Sequence, residues 1–243
     1  MRLRRRETDW MKGLAACLLV CLLASGASAS ERLSLTTEDG VVLAGVLFAP
    51  AKTPAPAVLL LHMQTRTRHD WDNMADRLAS RGFVALSIDL RGHGESASGP
   101  TGDGDDLTAL QLDVKAALRF LESRSDLVNG RLAIVGASVG ANLAALAGAG
   151  DPAVRALVLL SPGLDYRGLR IEAPMKTKFI DRPALILVSQ EDPYSVRSSR
   201  VLAGAGGPWE LRVLEGAGHG TVMFARVADL LSSLVDWLAT RLL

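Results

Sequence analysis

One serine stands between two glycines where an apolar run gives way to a stretch of small residues. The motif is Gly136-Ala137-Ser138-Val139-Gly140, inside the longer segment "RLAIVGASVGANLAALAG". Its branched first half predicts a buried strand and its alanine-rich second half predicts a helix. Glycines lack a Cβ, so strand, turn and helix can crowd together and expose the Ser138 hydroxyl. The pattern predicts a serine nucleophile for acyl transfer, the alternative being a turn of small residues selected for packing.

A serine hydroxyl needs a base to take its proton, and the base needs an acid that orients it. In the chain order serine, acid, histidine, His219 is the only one of the four histidines that follows Ser138. It lies in a glycine-rich loop, "EGAGHG", after the last predicted strand. Asp192, just past the predicted strand "PALILVSQ", is the favoured acid. Asp165, one strand earlier, is the alternative.

Backbone N–H groups must stabilise the negative charge of a tetrahedral intermediate. The N–H of Val139, the residue after the nucleophile, is one expected donor. The second donor is expected in the loop after the apolar run "VLLLHM", at Met63. His62 is then a neighbour that shapes this loop.

Strand and helix patterns alternate along the chain and indicate how these residues meet. The segment from Arg32 to Pro50 predicts an antiparallel hairpin around a Glu-Asp-Gly turn. Continuous apolar runs, typical of strands buried on both faces, then alternate with helical stretches up to "VADLLSSLVDWLATRLL". The alternation predicts an α/β fold with a mostly parallel central sheet and helices on both faces. In such sheets, ligands bind at the carboxyl ends of the strands.

Only residues 163–183 separate the predicted strand "ALVLLSP" from the next one. About 20 residues are too few for a lid with its own core, although one short helix fits. We therefore expect no large lid domain and a shallow, open site that suits a small acyl substrate. The insert also holds four basic residues that predict a solvated basic face, the alternative being an anion-binding face: Arg167, Arg170, Lys176 and Lys178.

The composition limits the class of partner. The chain has 243 residues, of which 49% are hydrophobic, and this predicts one domain with a full core. A net charge of +1 and an aromatic content of 5% argue against a nucleic-acid partner. The acidic stretch from Gly94 to Asp106 lacks the ligand spacing of a calcium loop. We expect neither a metal nor a cofactor, and the sequence leaves the oligomeric state open.

The first 29 residues have the pattern of a secretory signal peptide: a basic leader, an apolar stretch from Leu14 to Leu23, and the small-residue site Ala27-Ser28-Ala29. Residues 30–243 are then the mature domain, which is periplasmic or secreted and does not contact a membrane after cleavage. The apolar stretch is shorter than the roughly 20 residues of a membrane span, an uncleaved anchor being the alternative. Met11 is a second candidate start. Both cysteines of the chain lie in this segment, so no disulfide is expected.

Three motifs resemble the α/β-hydrolase superfamily between about Arg32 and Leu243: "IDLRGHGES", "GASVG" and "EGAGHG", in that order. The resemblance implies a Ser138–Asp192–His219 triad with the Met63 and Val139 amides as oxyanion donors. The family's "DLRGHG"-like loop is mainly structural, so no catalytic role is implied for the aspartate and histidine in it.

The nucleophile type narrows the implied activity. Similar proteins with a dienelactone-hydrolase-like shape often use cysteine, and haloalkane dehalogenases use aspartate. Serine at position 138 favours ester or related acyl transfer. Together with the predicted signal peptide, it indicates an exported serine hydrolase, with a carboxylesterase for small acyl esters as the preferred hypothesis. The alternatives are a peptidase or thioesterase of the same fold and a non-catalytic binding module.

Overall fold

Ten strands and seven α-helices alternate along residues 29–102 and 106–243, the part of the chain that the computed structural model describes. The strands are β1 (Ala29–Thr36), β2 (Val42–Ala49), β3 (Ala55–Leu61), β4 (Val84–Ile88), β5 (Leu127–Ala137), β6 (Val154–Leu160), β7 (Asp165–Tyr166), β8 (Leu169–Arg170), β9 (Ala184–Ser189) and β10 (Trp209–Leu214). The helices are α1 (Asp72–Ser80), α2 (Leu110–Glu122), α3 (Val139–Gly150), α4 (Glu172–Lys178), α5 (Pro193–Ala203), α6 (Met223–Arg226) and α7 (Leu230–Leu242). The predicted signal peptide, residues 1–29, lies outside the described residues except for Ala29.

Eight strands form one sheet in the order β1-β2-β4-β3-β5-β6-β9-β10. The β1–β2 and β2–β4 pairs are antiparallel, and the pairs from β4 to β10 are parallel. Thr36 pairs with Val42 next to the hairpin turn. These pairings confirm the predicted mostly parallel sheet and its N-terminal antiparallel hairpin.

The sheet separates two apolar cores. Strands β3, β4 and β9 are buried at every residue, which explains their uninterrupted apolar sequences. One core contains side chains of α2, α3 and α4, and the other contains side chains of α1 and α7. Helices therefore cover both faces, as the alternation of patterns predicts.

Helix α3 lies close against the sheet because its residues are small. A Cβ placed on Gly148 would lie 3.0 Å from the side chain of Leu157 in β6 and 3.2 Å from the Phe179 ring. Larger side chains at this position would push the helix away from the sheet. The tight packing holds the C-terminal part of α3 against the sheet.

The insert between β6 and β9 and the C-terminal helix differ in detail from the sequence patterns. The insert forms the two-residue strands β7 and β8 and the seven-residue helix α4, so it is no separate lid. Helix α7 begins at Leu230 rather than with the apolar pattern at Val227 because Val227 is extended and Asp229 is left-handed, with φ 57°. Within the described ranges, no helix has the length and apolar character required for crossing a bilayer.

Candidate active site

Ser138 occupies a sharp turn between β5 and α3. Its φ of 53° and ψ of −117° are unusual for a residue with a Cβ, and its N–H donates to the Leu160 carbonyl over 2.8 Å. A Cβ on Gly136 would lie 2.1 Å from the Gly140 carbonyl oxygen, and one on Gly140 would lie 2.3 Å from the Leu61 carbonyl oxygen. Both motif glycines are therefore required for close backbone approach, which explains why they flank the serine.

Asp192 and His219 lie in direct contact. Asp192 caps α5, and its Oδ1 accepts the Ser195 N–H over 3.1 Å. His219 Nδ1 lies 2.7 Å from Asp192 Oδ2. Burial alone would raise the pKa of Asp192, but hydrogen bonds from Ser195 and His219 outweigh it and hold that pKa below its ordinary value. The ionised carboxylate can only accept, so Nδ1 of His219 carries the proton and Nε2 is left as the basic nitrogen.

Two serines outside the predicted site hold the backbone on both sides of His219. The Gly218 N–H donates to Ser189 Oγ over 3.0 Å, and the Gly220 N–H donates to Ser161 Oγ over 3.1 Å. Ser189 ends β9 and Ser161 directly follows β6. Neither serine was predicted from the sequence. The available signal was a hydroxyl residue at the carboxyl end of two neighbouring buried strands.

The predicted oxyanion donors lie at the start of α3 and in the loop after β3. Val139 is the first residue of α3, so its N–H has no acceptor within the helix and lies at the positive end of the helix dipole. Met63 lies two residues after the end of β3 at Leu61, and β3 is a direct neighbour of β5 in the sheet. The Met63 carbonyl accepts the Arg66 N–H over 3.2 Å, which forms a tight turn in this loop.

His62 ties this loop to the neighbouring strand end. The side chain is fully buried; Nε2 accepts the Leu90 N–H over 3.0 Å and Nδ1 lies 2.7 Å from the Met63 carbonyl oxygen. Burial lowers the pKa of His62 to about 4, although the Met63 carbonyl opposes this. A neutral imidazole with the proton on Nδ1 satisfies both contacts, so His62 shapes the loop as expected from its position.

The "DLRGHG" loop is held by buried ion pairs rather than directed at Ser138. Asp89 is fully buried, accepts the Arg68 and Glu95 N–H groups over 2.7 and 2.9 Å, and pairs with the Arg68 guanidinium. His93 Nε2 accepts the Thr65 N–H over 3.3 Å. These contacts link the loop to the segment after β3 and give Asp89 and His93 a structural part.

The other carboxylates near the strand ends have partners of their own. Asp165 accepts the Gly168 N–H and pairs with Arg170 at 2.8 Å within the β7–β8 hairpin. Glu191 accepts the Gly216 N–H and the Ser189 hydroxyl. Of the candidate acids, the structure therefore brings Asp192 to His219, and it uses Asp165 to close a hairpin.

Two of the four basic residues of the insert form ion pairs within it. Arg170 pairs with Asp165, and Lys176 pairs with Glu172 over 2.8 Å on the same face of α4. These pairs reduce the positive field that an anionic ligand would meet, which favours the solvated basic face. Among the described residues, no three His, Cys, Asp or Glu side chains are arranged to hold a metal ion.

Comparison with known protein families and sequences identifies relatives. A hydrolase family model described as serine aminopeptidase, S33, matches residues 52–182. An uncharacterized protein of Mycobacterium tuberculosis is 29% identical over 203 residues, which is 75% of this chain and 70% of that protein. The uncharacterized protein YfhR of Escherichia coli O157:H7 is 29% identical over 144 residues, covering 56% of this chain and 49% of its own length.

Solved structures of hydrolases share the fold. The Pyrococcus furiosus esterase Pf2001 superposes with a TM-score of 0.72 at 21% identity, covering 88% of this chain and 92% of the esterase. A dienelactone hydrolase from Anabaena variabilis gives a TM-score of 0.70 at 18% identity, with 88% and 97% coverage. At these identities the likeness concerns the fold. With the family match across more than half of its length, the chain belongs to the serine aminopeptidase S33 family of the α/β-hydrolase superfamily and is a hydrolase.

Proposed function

We propose that the protein is a serine carboxylesterase for small acyl esters, with Ser138 as nucleophile, His219 as base and Asp192 as the orienting acid. The observation that carries the proposal is the 2.7 Å contact between His219 Nδ1 and Asp192 Oδ2, at the same sheet edge as the strained Ser138 turn. A lowered pKa keeps Asp192 ionised at neutral pH, which supports the tautomer that a base requires.

The proposed reaction has two halves. Ser138 Oγ attacks the ester carbonyl carbon while His219 Nε2 takes the hydroxyl proton. The N–H groups of Met63 and Val139 stabilise the oxyanion of the tetrahedral intermediate. Its collapse breaks the bond to the alcohol oxygen, which receives the proton from His219. A water molecule then hydrolyses the acyl-enzyme by the same sequence of proton transfers.

A peptidase is the second candidate, because the matching family is described by aminopeptidase activity. An aminopeptidase needs an acidic group for the ammonium of its substrate. Two carboxylates at this edge are already engaged: Asp165 with Arg170, and Asp70 with Arg66 and the Thr221 hydroxyl. This pairing favours an ester over a free amino terminus as substrate.

The test compares purified wild type and Ser138→Ala on p-nitrophenyl acetate and on aminoacyl p-nitroanilides, together with fluorophosphonate labelling. We expect ester hydrolysis and labelling in the wild type, and loss of both by a factor on the order of 10⁴ to 10⁶ in the variant. Faster turnover of the anilides would support the peptidase. An unlabelled wild type without activity would support the non-catalytic binding module.

We also propose that the chain is exported and that residues 30–243 are the mature domain. The support is the basic leader and the short apolar stretch before Ser30. The intact mass of the protein recovered from the exporting cell should correspond to a start near Ser30. A mass that retains residues 1–29 would support an anchored form.

A further inference from the structure

A hydrogen bond between two side chains joins the loop after β3 to the insert after β6. Tyr166 Oη donates to Gln64 Oε1 over 2.8 Å, and both side chains are half-buried. β3 and β6 are the two neighbours of β5 in the sheet, and Ser138 lies at the carboxyl end of β5. The Gln64–Tyr166 pair therefore connects the loops on either side of the nucleophile.

This connection lies on the side of the sheet where α3 packs. Asn142 of α3 is fully buried and holds the insert, because its Nδ2 donates to the Gly163 and Leu169 carbonyls over 2.8 Å each. The His219 loop belongs to the opposite side. Ala217 and Met223, which flank it, pack in the core formed with α1 and α7. His219 and the Gln64–Tyr166 pair therefore approach Ser138 from opposite sides.

The chemistry assigns a part of the substrate to each side. The alcohol leaves after taking its proton from the histidine, so the leaving group must lie on the His219 side. The acyl chain, which is the other substituent of the carbonyl carbon, then extends away from His219. Gln64 is also the residue after Met63, whose N–H would bind the carbonyl oxygen. The acyl group thus points toward Gln64 and Tyr166.

We propose that Gln64 and Tyr166 form a wall that limits the length of the acyl group, so that the enzyme prefers acetyl and other short acyl esters. The backbone of the insert has two further anchors, so the loss of either one leaves the other in place. The Leu107 N–H donates to the Arg167 carbonyl over 2.9 Å, and the Tyr194 hydroxyl donates to the Asp165 carbonyl. Removing the Tyr166 hydroxyl therefore breaks the crossing bond but leaves the backbone of the insert anchored. The inference rests on the proposed esterase function.

The experiment measures kcat/KM for p-nitrophenyl acetate, butyrate and octanoate. The proteins are the wild type, Gln64→Ala, Tyr166→Phe and, as a matched control, Tyr194→Phe, which loses a tyrosine hydroxyl that anchors the insert but does not bond to the loop after β3. We expect Gln64→Ala to raise the octanoate-to-acetate ratio about tenfold or more, as widening an apolar pocket by a few methylenes does. Tyr166→Phe should raise it less, and Tyr194→Phe should stay within about twofold of the wild type.

Three outcomes would overturn the inference in different ways. If the wild type hydrolyses acetate and the ratio does not change in Gln64→Ala and Tyr166→Phe, the wall is wrong and the esterase function stands. If the wild type hydrolyses none of the three esters, both the esterase function and the wall that depends on it are wrong. An equal rise in Tyr194→Phe would also contradict the inference, because general loosening of the insert would then explain the effect.

Discussion

Replacing His62 by glutamine should remove a specific part of the acid sensitivity of the fold. The buried imidazole has a pKa of about 4 in the folded chain, against 6.5 for an unperturbed histidine. Between these two pH values the unfolded chain binds a proton that the folded chain does not bind. The contribution of the neutral imidazole to the free energy of unfolding is therefore fully present above pH 6.5 and is lost as the pH falls toward 4. At about 1.4 kcal/mol per pKa unit, the loss amounts to about 3 kcal/mol.

Glutamine is the informative replacement because its amide oxygen can still accept the Leu90 N–H and it does not titrate. Urea unfolding at pH values between 7.5 and 4, followed by tryptophan fluorescence, gives the free energy of unfolding for both proteins. Carboxylates such as Asp192 titrate in both and cancel in the difference. The wild type should lose about 3 kcal/mol more than His62→Gln across this range.

An exposed histidine serves as the control for His62. His69→Gln removes an imidazole whose side chain is more than half exposed. The free energy of unfolding of this variant should therefore depend on pH as that of the wild type does. Parallel pH profiles for the wild type and His62→Gln would show that the imidazole is not held neutral by burial. The assignment of the proton to Nδ1, and with it the account of the Met63 loop, would then fail.

Three further predictions concern the proposed triad and the turn around it. Asp192→Asn should lower kcat about 10⁴-fold, because an amide selects the wrong imidazole tautomer, whereas Asp165→Asn should change it little; the reverse order would move the acid. Ser161→Ala should lower kcat about tenfold with little change in KM, because it leaves a buried N–H beside the base unpaired. Gly140→Ala should abolish folding or cost more than about 3 kcal/mol in urea unfolding, whereas Gly150→Ala, whose Cβ meets nothing within 4 Å, should be tolerated. A well-folded Gly140→Ala would contradict the steric account of the turn.

Most of the fold follows from local patterns in the sequence. Strands buried on both faces produce continuous apolar runs, and helices packed on one side produce a 3.6-residue period, so each type of element has its own signature. Helix α7 shows what local patterns cannot predict. The apolar pattern of α7 extends back to Val227, but a left-handed Asp229 begins the helix at Leu230. A single backbone dihedral angle leaves no mark on hydrophobic periodicity.

The residues of the candidate site also fall into those that local sequence could predict and those that it could not. Ser138, Asp192 and His219 could be proposed from chain order and from their places after strands, because a parallel sheet brings its carboxyl ends to one edge. The serines that hold the His219 loop, and the pairing of Tyr166 with Gln64, could not. Tyr166 and Gln64 are 102 residues apart, and their pairing depends on which strands are neighbours. Strand order is set by packing of the whole chain and cannot be predicted from either segment alone.

Two serines at this edge of the sheet are proposed for different roles, one as the nucleophile and the other as a positioning residue. Ser138 and Ser161 have the same φ of 53°, and each donates its N–H to a carbonyl of the next strand, Leu160 and Leu187, over 2.8 Å. The two turns thus share a positive φ and the same kind of backbone hydrogen bond, and a positive φ at a residue with a Cβ costs about 1–3 kcal/mol. They differ in exposure: Ser138 is half-buried, whereas Ser161 is 2% exposed and its hydroxyl accepts the N–H next to His219. Because a nucleophile must reach a substrate and a positioning group need not, accessibility rather than local conformation separates the two roles.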